Sequence, residues 1–175
     1  MTFPETIQTE RLLLRPWEES DAHTLFHYAC DPRIGPMCGW KPHESEEESL
    51  QVIRNILTAD YTYAVTLEGE PIGTVSLMPA RNPACIGHME LGYWLGFPHW
   101  GNGYIPEAAE ALLKTAFGLG ARELWCAHYA ENHNSRRVIK KLGFSYRFRA
   151  MEENGLGQTK EVWYYALSRK TAFSA

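Results

Sequence analysis

Apolar and polar positions along this chain follow two periods, and each change of period marks an element. The run RLLLRPW is a short apolar stretch closed by Pro16, which predicts a strand. In EESDAHTLFHYACDP the spacing lengthens: Ala22, Leu25, Phe26 and Ala29 fall on one helix face, and Pro32 ends it. The Gly- and Pro-rich stretch DPRIGPMCGWKPH predicts a loop. ESEEESLQVIRNIL is a second helix, with Ser45 and Glu48 at capping-box spacing and Leu50, Ile53 and Leu57 as its apolar stripe.

The pattern then changes to strands. YTYAVTLE, the turn GEP and IGTVSLMPA predict a β-hairpin, and IGHMELGYWLGF a third strand of that group. PEAAEALLKTAFGLG returns to helical spacing, with Ile105, Ala108, Leu112, Leu113 and Ala116 on one face and Gly120 as its C-terminal cap. ELWCAHYA is a strand, NSRRVIKKLG a short helix capped by Gly143, and FSYRFRAM and KEVWYYALS a closing pair of strands. The order β-α-α-β-β-β-α-β-α-β-β predicts an α+β fold, one mixed sheet of about seven strands with helices on both faces. The strand–helix–strand unit over residues 86–130 should form a right-handed parallel crossover. No repeat, low-complexity tract or linker interrupts the chain, so residues 1–175 read as a single domain.

Composition narrows the function classes. A chain of 175 residues needs neither disulfides nor a metal to hold its core. The net charge of −4 lacks the basic excess of a nucleic-acid-binding surface, so no direct nucleic acid binding is expected. Cys30, Cys38, Cys85 and Cys126 form no CxxC pair and no His-x-x-x-His accompanies them, which points to reduced thiols and no metal site. The N-terminus MTFPETIQTERLLLRPW meets charged residues too early for a signal peptide. The uncharged run Leu91 to Pro106 is too short and too broken by Gly and Pro to span a bilayer. The expected location is the cytoplasm, with no membrane partner.

The stretch HWGNGYIPEA carries the first chemistry. Gly101 and Gly103 permit positive φ and leave no Cβ in the way. The helix that follows adds orphan N–H donors and a partial positive charge, which together make an anion site of the kind that holds phosphate. The plain alternative is a strand-to-helix turn without a ligand. A Rossmann fingerprint needs a third glycine where Pro106 stands, and a Walker A loop needs G-K-[ST], which is absent. What remains is a pyrophosphate site on a domain too small for a dinucleotide fold.

Four segments, TERLLLRPWEESDA, GHMELGYWL, WGNGYIPEA and ENHNSRRVIKKLGF, in this order resemble the acetyl-CoA-dependent N-acetyltransferases of the GNAT superfamily. The likeness runs over nearly the whole chain and is nearest to the RimJ/RimL-like branch, which acetylates N-terminal α-amines of ribosomal proteins. The resemblance implies a GNAT-like fold with a twisted, mostly antiparallel central sheet. It also implies a V-shaped splay between the strand ending near Leu95 and the strand ending near Tyr129, with the pantetheine arm of acetyl-CoA inside it. The cofactor-binding set it implies is Leu95, then Trp100, Gly101, Asn102, Gly103, Tyr104 and Ile105 around the pyrophosphate, and Asn132 on the cofactor arm. Three positions depart from the family's usual turn: Asn102 stands where Lys, Arg or Gln is common, Ile105 replaces a small residue, and Pro106 replaces Ser or Thr and removes one N–H.

Acetylating an amine requires a neutral nucleophile, a donor for the developing oxyanion and help for the departing thiolate. Glu90 is the candidate base; the resemblance supports it through ELGY, and the alternative is a solvated strand glutamate. On an alternating strand it shares a face with His88 and Gly92, opposite Met89, Leu91 and Tyr93. Ser135, where the helix after AENHN begins, is the candidate acid; the alternative is local capping. His128 is the reserve base, and Cys126 lacks a partner base for an acyl-enzyme. Glu44 to Glu48 either attract a cationic acceptor or stabilise a helix start, and Met37 and Trp40 either line an acceptor pocket or pack. The expected activity is acetyl transfer to a primary amine, a protein N-terminus first and a polyamine or aminoglycoside second. A CoA-binding module without turnover is the contrasting class. Apolar strand pairs and tryptophan-rich loops either leave a patch that a second copy covers, giving a homodimer, or close the monomer core.

Overall fold

The structure, a computed structural model, describes residues 2–172. Its strands are β1 (Ile7–Gln8), β2 (Leu12–Arg15), β3 (Thr62–Leu67), β4 (Glu70–Pro79), β5 (Met89–Leu95), β6 (Glu123–Tyr129), β7 (Ser145–Glu153) and β8 (Thr159–Ser168). Its helices are α1 (Ala22–Ala29), α2 (Gly35–Cys38), α3 (Glu46–Val52), α4 (Tyr104–Gly118), α5 (His133–Lys141) and α6 (Arg169–Ala172). The strands form one eight-stranded sheet in the order β1-β2-β3-β4-β5-β6-β8-β7. Every neighbouring pair is antiparallel except β5–β6, the parallel crossover expected around α4.

Two elements exceed the pattern read from the sequence. β1 adds an eighth strand, but it is held by only two register pairs, Ile7↔Leu14 and Gln8↔Leu13, too few for alternation to show. α2 lies inside the stretch expected to be a loop. Pro36 sits in its first turn and Gly39 closes it at φ +85°, so its start and stop signals fill almost the whole helix and look like loop punctuation. In α1, Tyr28 is buried and Phe26 only half-buried. At α3, Ser45 Oγ accepts from the N–H of Glu48 as the capping box predicts, while the Glu48 carboxylate reaches back to the N–H of Glu44. The acidic run there sits exposed at a helix start, where it complements the dipole.

Alternation along β5 builds the two faces of the sheet. Met89, Leu91, Tyr93 and Leu95 enter the large core beneath α4, with Leu112, Leu113, Ala116 and Phe117. Trp94 points the other way and joins Trp17, Leu25, Ile53 and Trp40 beneath α1 and α3. No helix among the described residues is long and apolar enough to cross a membrane.

β5 and β6 pair only over Met89↔Leu124, Glu90↔Trp125 and Leu91↔Cys126, although β5 continues to Leu95 and β6 to Tyr129. Beyond that point each strand is held by its outer neighbour alone. β5 stays on β4 from Gly92↔Ser76 to Leu95↔Gly73, and β6 stays on β8 from Ala127↔Tyr164 to Tyr129↔Val162. The result is a splay in mid-sheet whose two inner edges carry strand backbone without a strand partner. Such edges suit an extended ligand that has amide groups of its own.

Candidate active site

The glycine turn stands at the mouth of this splay. Gly101 has φ +81° and Gly103 has φ +79°, and Gly103 is the residue from which α4 starts. The turn is pinned from inside: Trp100 Nε1 donates to the Leu95 carbonyl at 2.8 Å, and Asn102 Nδ2 donates to the carbonyls of His99 and Trp100 at 3.0 and 3.3 Å. The N–H of Trp100 is already used by Phe97 O. Among the described residues no acceptor is found for the N–H groups of Gly101, Asn102, Gly103, Tyr104 and Ile105. These five donors form an edge of free N–H groups at the start of α4; the N–H of Trp100, which the expected stretch includes, is not among them. Ile105 contributes through its backbone, since its side chain is buried in the core. The Asn102 side chain is turned into the loop, where it staples the backbone.

Arg11 was not singled out by any spacing, yet it organises this edge. Its guanidinium donates to the Asn102 carbonyl at 3.1 Å and to Glu107 at 2.7 Å, and lies over the Tyr104 ring at 4.6 Å. Glu107, in the first turn of α4, also accepts from the Thr9 hydroxyl and the Arg11 N–H. Burial works against its charge, but these donors together outweigh it and hold Glu107 below its ordinary value. The carboxylate in the first turn of α4 is thus neutralised by a cation 96 positions earlier in the chain. Arg11→Ala should cost about 1 kcal/mol, a modest figure because the arginine side chain is 43% exposed and screened. A carboxyl with a depressed value stabilises the fold above the unfolded-chain value and loses that contribution as pH falls through the folded one. The Tm gap between wild type and Arg11→Ala should therefore be full at neutral pH and close in acid, read by thermal melts across pH.

Glu90 sits one residue before the last β5–β6 pair, between Met78 of β4 and Trp125 of β6. It is half-buried on the face away from α4, as alternation predicts. Burial raises its carboxyl above the ordinary value, the Glu152 charge adds to this, and Arg81 opposes it. The value thereby moves toward neutrality, where a general base works best. Glu152, on β7, accepts from the Tyr164 hydroxyl at 2.8 and 2.9 Å and from the amide of Asn82. Two carboxylates from separate strands thus share this face next to the vertex of the splay. Glu152 lies in RAMEENG, which carries no spacing that would single it out.

Ser135 is on the opposite side of the opening, in the first turn of α5. Its N–H is capped by Asn132 Oδ1 at 3.0 Å, and Asn132 Nδ2 reaches the Met37 carbonyl at 3.4 Å. Asn132 thus serves as the cap of α5, and its amide ties α2 to that loop. Ser135 Oγ lies 2.7 Å from the hydroxyl of Tyr93, a half-buried β5 residue. His128 is engaged at both ring nitrogens, with the Tyr129 carbonyl at 2.7 Å and the Tyr165 hydroxyl at 3.2 Å, and burial lowers its value. Cys126 is fully buried, bonded to the Leu91 carbonyl, and burial pushes its thiol well up, with Glu90 adding to this. Neither is poised for chemistry. Trp40 packs in the second core with Trp94. Met37 is exposed near the mouth.

The profile of the Acetyltransferase (GNAT) domain matches residues 11–145. The chain belongs to the GNAT acetyltransferases. A curated relative, an uncharacterized N-acetyltransferase p20 of Bacillus licheniformis, is 28% identical over 95% of this chain and 97% of its own. Mycobacterium smegmatis RimJ in complex with CoA-disulfide superposes with a TM-score of 0.80, at 20% identity over 98% of this chain and 91% of that one. RimL, a ribosomal L7/L12 α-N-protein acetyltransferase in complex with coenzyme A, superposes with a TM-score of 0.77, at 22% identity over 94% and 98%. As a GNAT acetyltransferase the chain is an enzyme that uses acetyl-CoA and an amine. Its own residues fit that co-substrate: five N–H donors at a helix start suit a pyrophosphate, and two strand edges without partners suit the amides of pantetheine.

Proposed function

We propose that this GNAT acetyltransferase, a single domain, moves acetyl from acetyl-CoA to a protein N-terminal α-amine by direct attack on the thioester. The observation that carries the reading is Glu90 at the vertex of the splay, raised toward neutrality, with the five-donor turn at the opening's other end. Gly101, Asn102, Gly103, Tyr104 and Ile105 hold the pyrophosphate through their N–H groups, while Leu95 and Trp100 brace the turn. Glu90 takes the proton of the attacking amine, directly or through water. The neighbouring charge of Glu152 favours a cationic acceptor on the same face. Ser135 assists the departing thiolate. The likeness to RimJ and RimL supports a protein N-terminus as acceptor.

Release of free thiol from acetyl-CoA, measured across N-terminal peptides, polyamines and aminoglycosides, tests this. Turnover with peptides, lost when their α-amine is blocked, is the expected result. Turnover with only the small amines would move the acceptor class, and CoA binding without thiol release would reduce the protein to a CoA-binding module.

A further inference from the structure

Two hydroxyls from different elements meet across the splay. Tyr93 lies two residues beyond the last β5–β6 pair, and its Oη reaches Ser135 Oγ at 2.7 Å. Each hydroxyl holds one proton, so the contact needs a direction. A phenol, with an ordinary value of about 10, is a better donor than an alcohol. Were Ser135 the donor, the Tyr93 proton would be left with the Ser135 carbonyl at 3.3 Å, outside the usual O–H···O range, or with the buried Cys126 sulfur, a weak acceptor. Donation by Tyr93 is the better-matched direction, and it leaves the Ser135 proton free for another acceptor. The serine backbone is meanwhile fixed, since Asn132 Oδ1 holds its N–H.

We infer that Tyr93 is a positioning residue for acetyl transfer: by donating to Ser135 Oγ it directs the serine proton into the splay, at the sulfur that leaves. This rests on the transfer reaction proposed above. In that step the amine nitrogen bonds to the acetyl carbon, the carbon–sulfur bond breaks and its electron pair goes to sulfur. The amine proton passes to Glu90. Ser135 donates a hydrogen bond to the thiolate, which takes a proton from water as it departs. Tyr93 itself makes and breaks no covalent bond. Burial raises its phenol well above the ordinary value, so it stays protonated and a donor across the working pH range.

Tyr93→Phe removes only the oxygen. It should leave the CoA-induced thermal shift and the KM for acetyl-CoA near wild type and lower kcat about 10–100-fold, less than loss of a positioned acid or base costs, because the serine proton remains and only its aim is lost. In a Ser135→Ala background there is nothing to aim, so Tyr93→Phe should add no further loss. With the acetyl thioester of an aryl thiol, a better leaving group, the Tyr93→Phe defect should shrink. A tyrosine that merely packs would give a defect independent of the leaving group and additive with Ser135→Ala. Either result, or a wild-type kcat, overturns the inference. Hydrolysis of acetyl-CoA without any amine breaks the same carbon–sulfur bond, so it is followed in parallel and decides the comparison if every acceptor is silent. If Ser135→Ala is slow and Tyr93→Phe is not, the role of Tyr93 alone fails. If Ser135→Ala runs at the wild-type rate in both assays, the Ser135 part of the mechanism fails and takes the role of Tyr93 with it.

Discussion

Glu90→Gln is expected to keep the fold and CoA binding while losing roughly 10²–10⁴-fold in transfer rate, the range typical of a positioned acid or base. The loss should shrink as pH rises, because more of the amine is then neutral without help. Stability should move in the opposite direction. A carboxyl whose folded value is raised binds its proton more tightly in the folded state, so stability falls as pH climbs from the ordinary carboxylate range through the raised value. Glutamine has no charge to bury beside Glu152. The Tm of Glu90→Gln should therefore exceed wild type at neutral pH, and the gap should close in acid. Slower and more stable together mark a functional group held against the interest of the fold. A wild-type rate at every pH would remove Glu90 from the proton path, and water would be left to carry it.

Gly103→Val is expected to abolish most of the thermal shift produced by CoA. An added Cβ at Gly103 meets only Arg11 Nη2, at 3.6 Å, and one at Gly101 meets nothing within 4 Å, so the protein itself leaves room at the turn. The cost lies in the backbone and on the ligand side. Gly103 has φ +79°, a region that costs an L-residue roughly 1–2 kcal/mol, and more for a β-branched one. Relaxing it would re-aim the N–H groups of Gly103 and Tyr104. A bound ligand stabilises the native state by mass action, so weaker binding appears directly as a smaller shift. The unliganded variant should melt a few degrees lower, consistent with the strain. An undiminished shift in a folded Gly103→Val protein would put the phosphate site elsewhere.

Much of the fold was legible because its signals are local. The lengthened spacing of Ala22, Leu25 and Ala29 and the alternation through Met89, Leu91 and Tyr93 each reflect one element burying one face. β1 and α2 escaped because elements this short are made by pairing and by end residues, which leave no period to read. At the site, Gly101 and Gly103 were readable because positive φ restricts residue choice at a single position. Glu90 was singled out through the family likeness of ELGY, while alternation gave only the face it lies on. Asn132, expected on the cofactor arm through family likeness, spends its carbonyl oxygen on the cap of α5, a role its position before a helix also allowed.

By itself the sequence determined the α+β order of elements, the faces of β5, the glycine turn ahead of α4 and, through the four segments, the family. Only the tertiary structure decided that Arg11 neutralises Glu107, that burial and then Glu152 raise Glu90, that Tyr93 meets Ser135 and that His128 is engaged at both nitrogens. The splay shows why. Each half of β5 and β6 has ordinary strand chemistry, and nothing in either segment says that pairing stops at Leu91↔Cys126. Beyond that pair β4 keeps one strand and β8 the other, so the opening is set by the outer neighbours. Contacts between residues tens of positions apart are set by strand order and register, which are properties of the whole sheet.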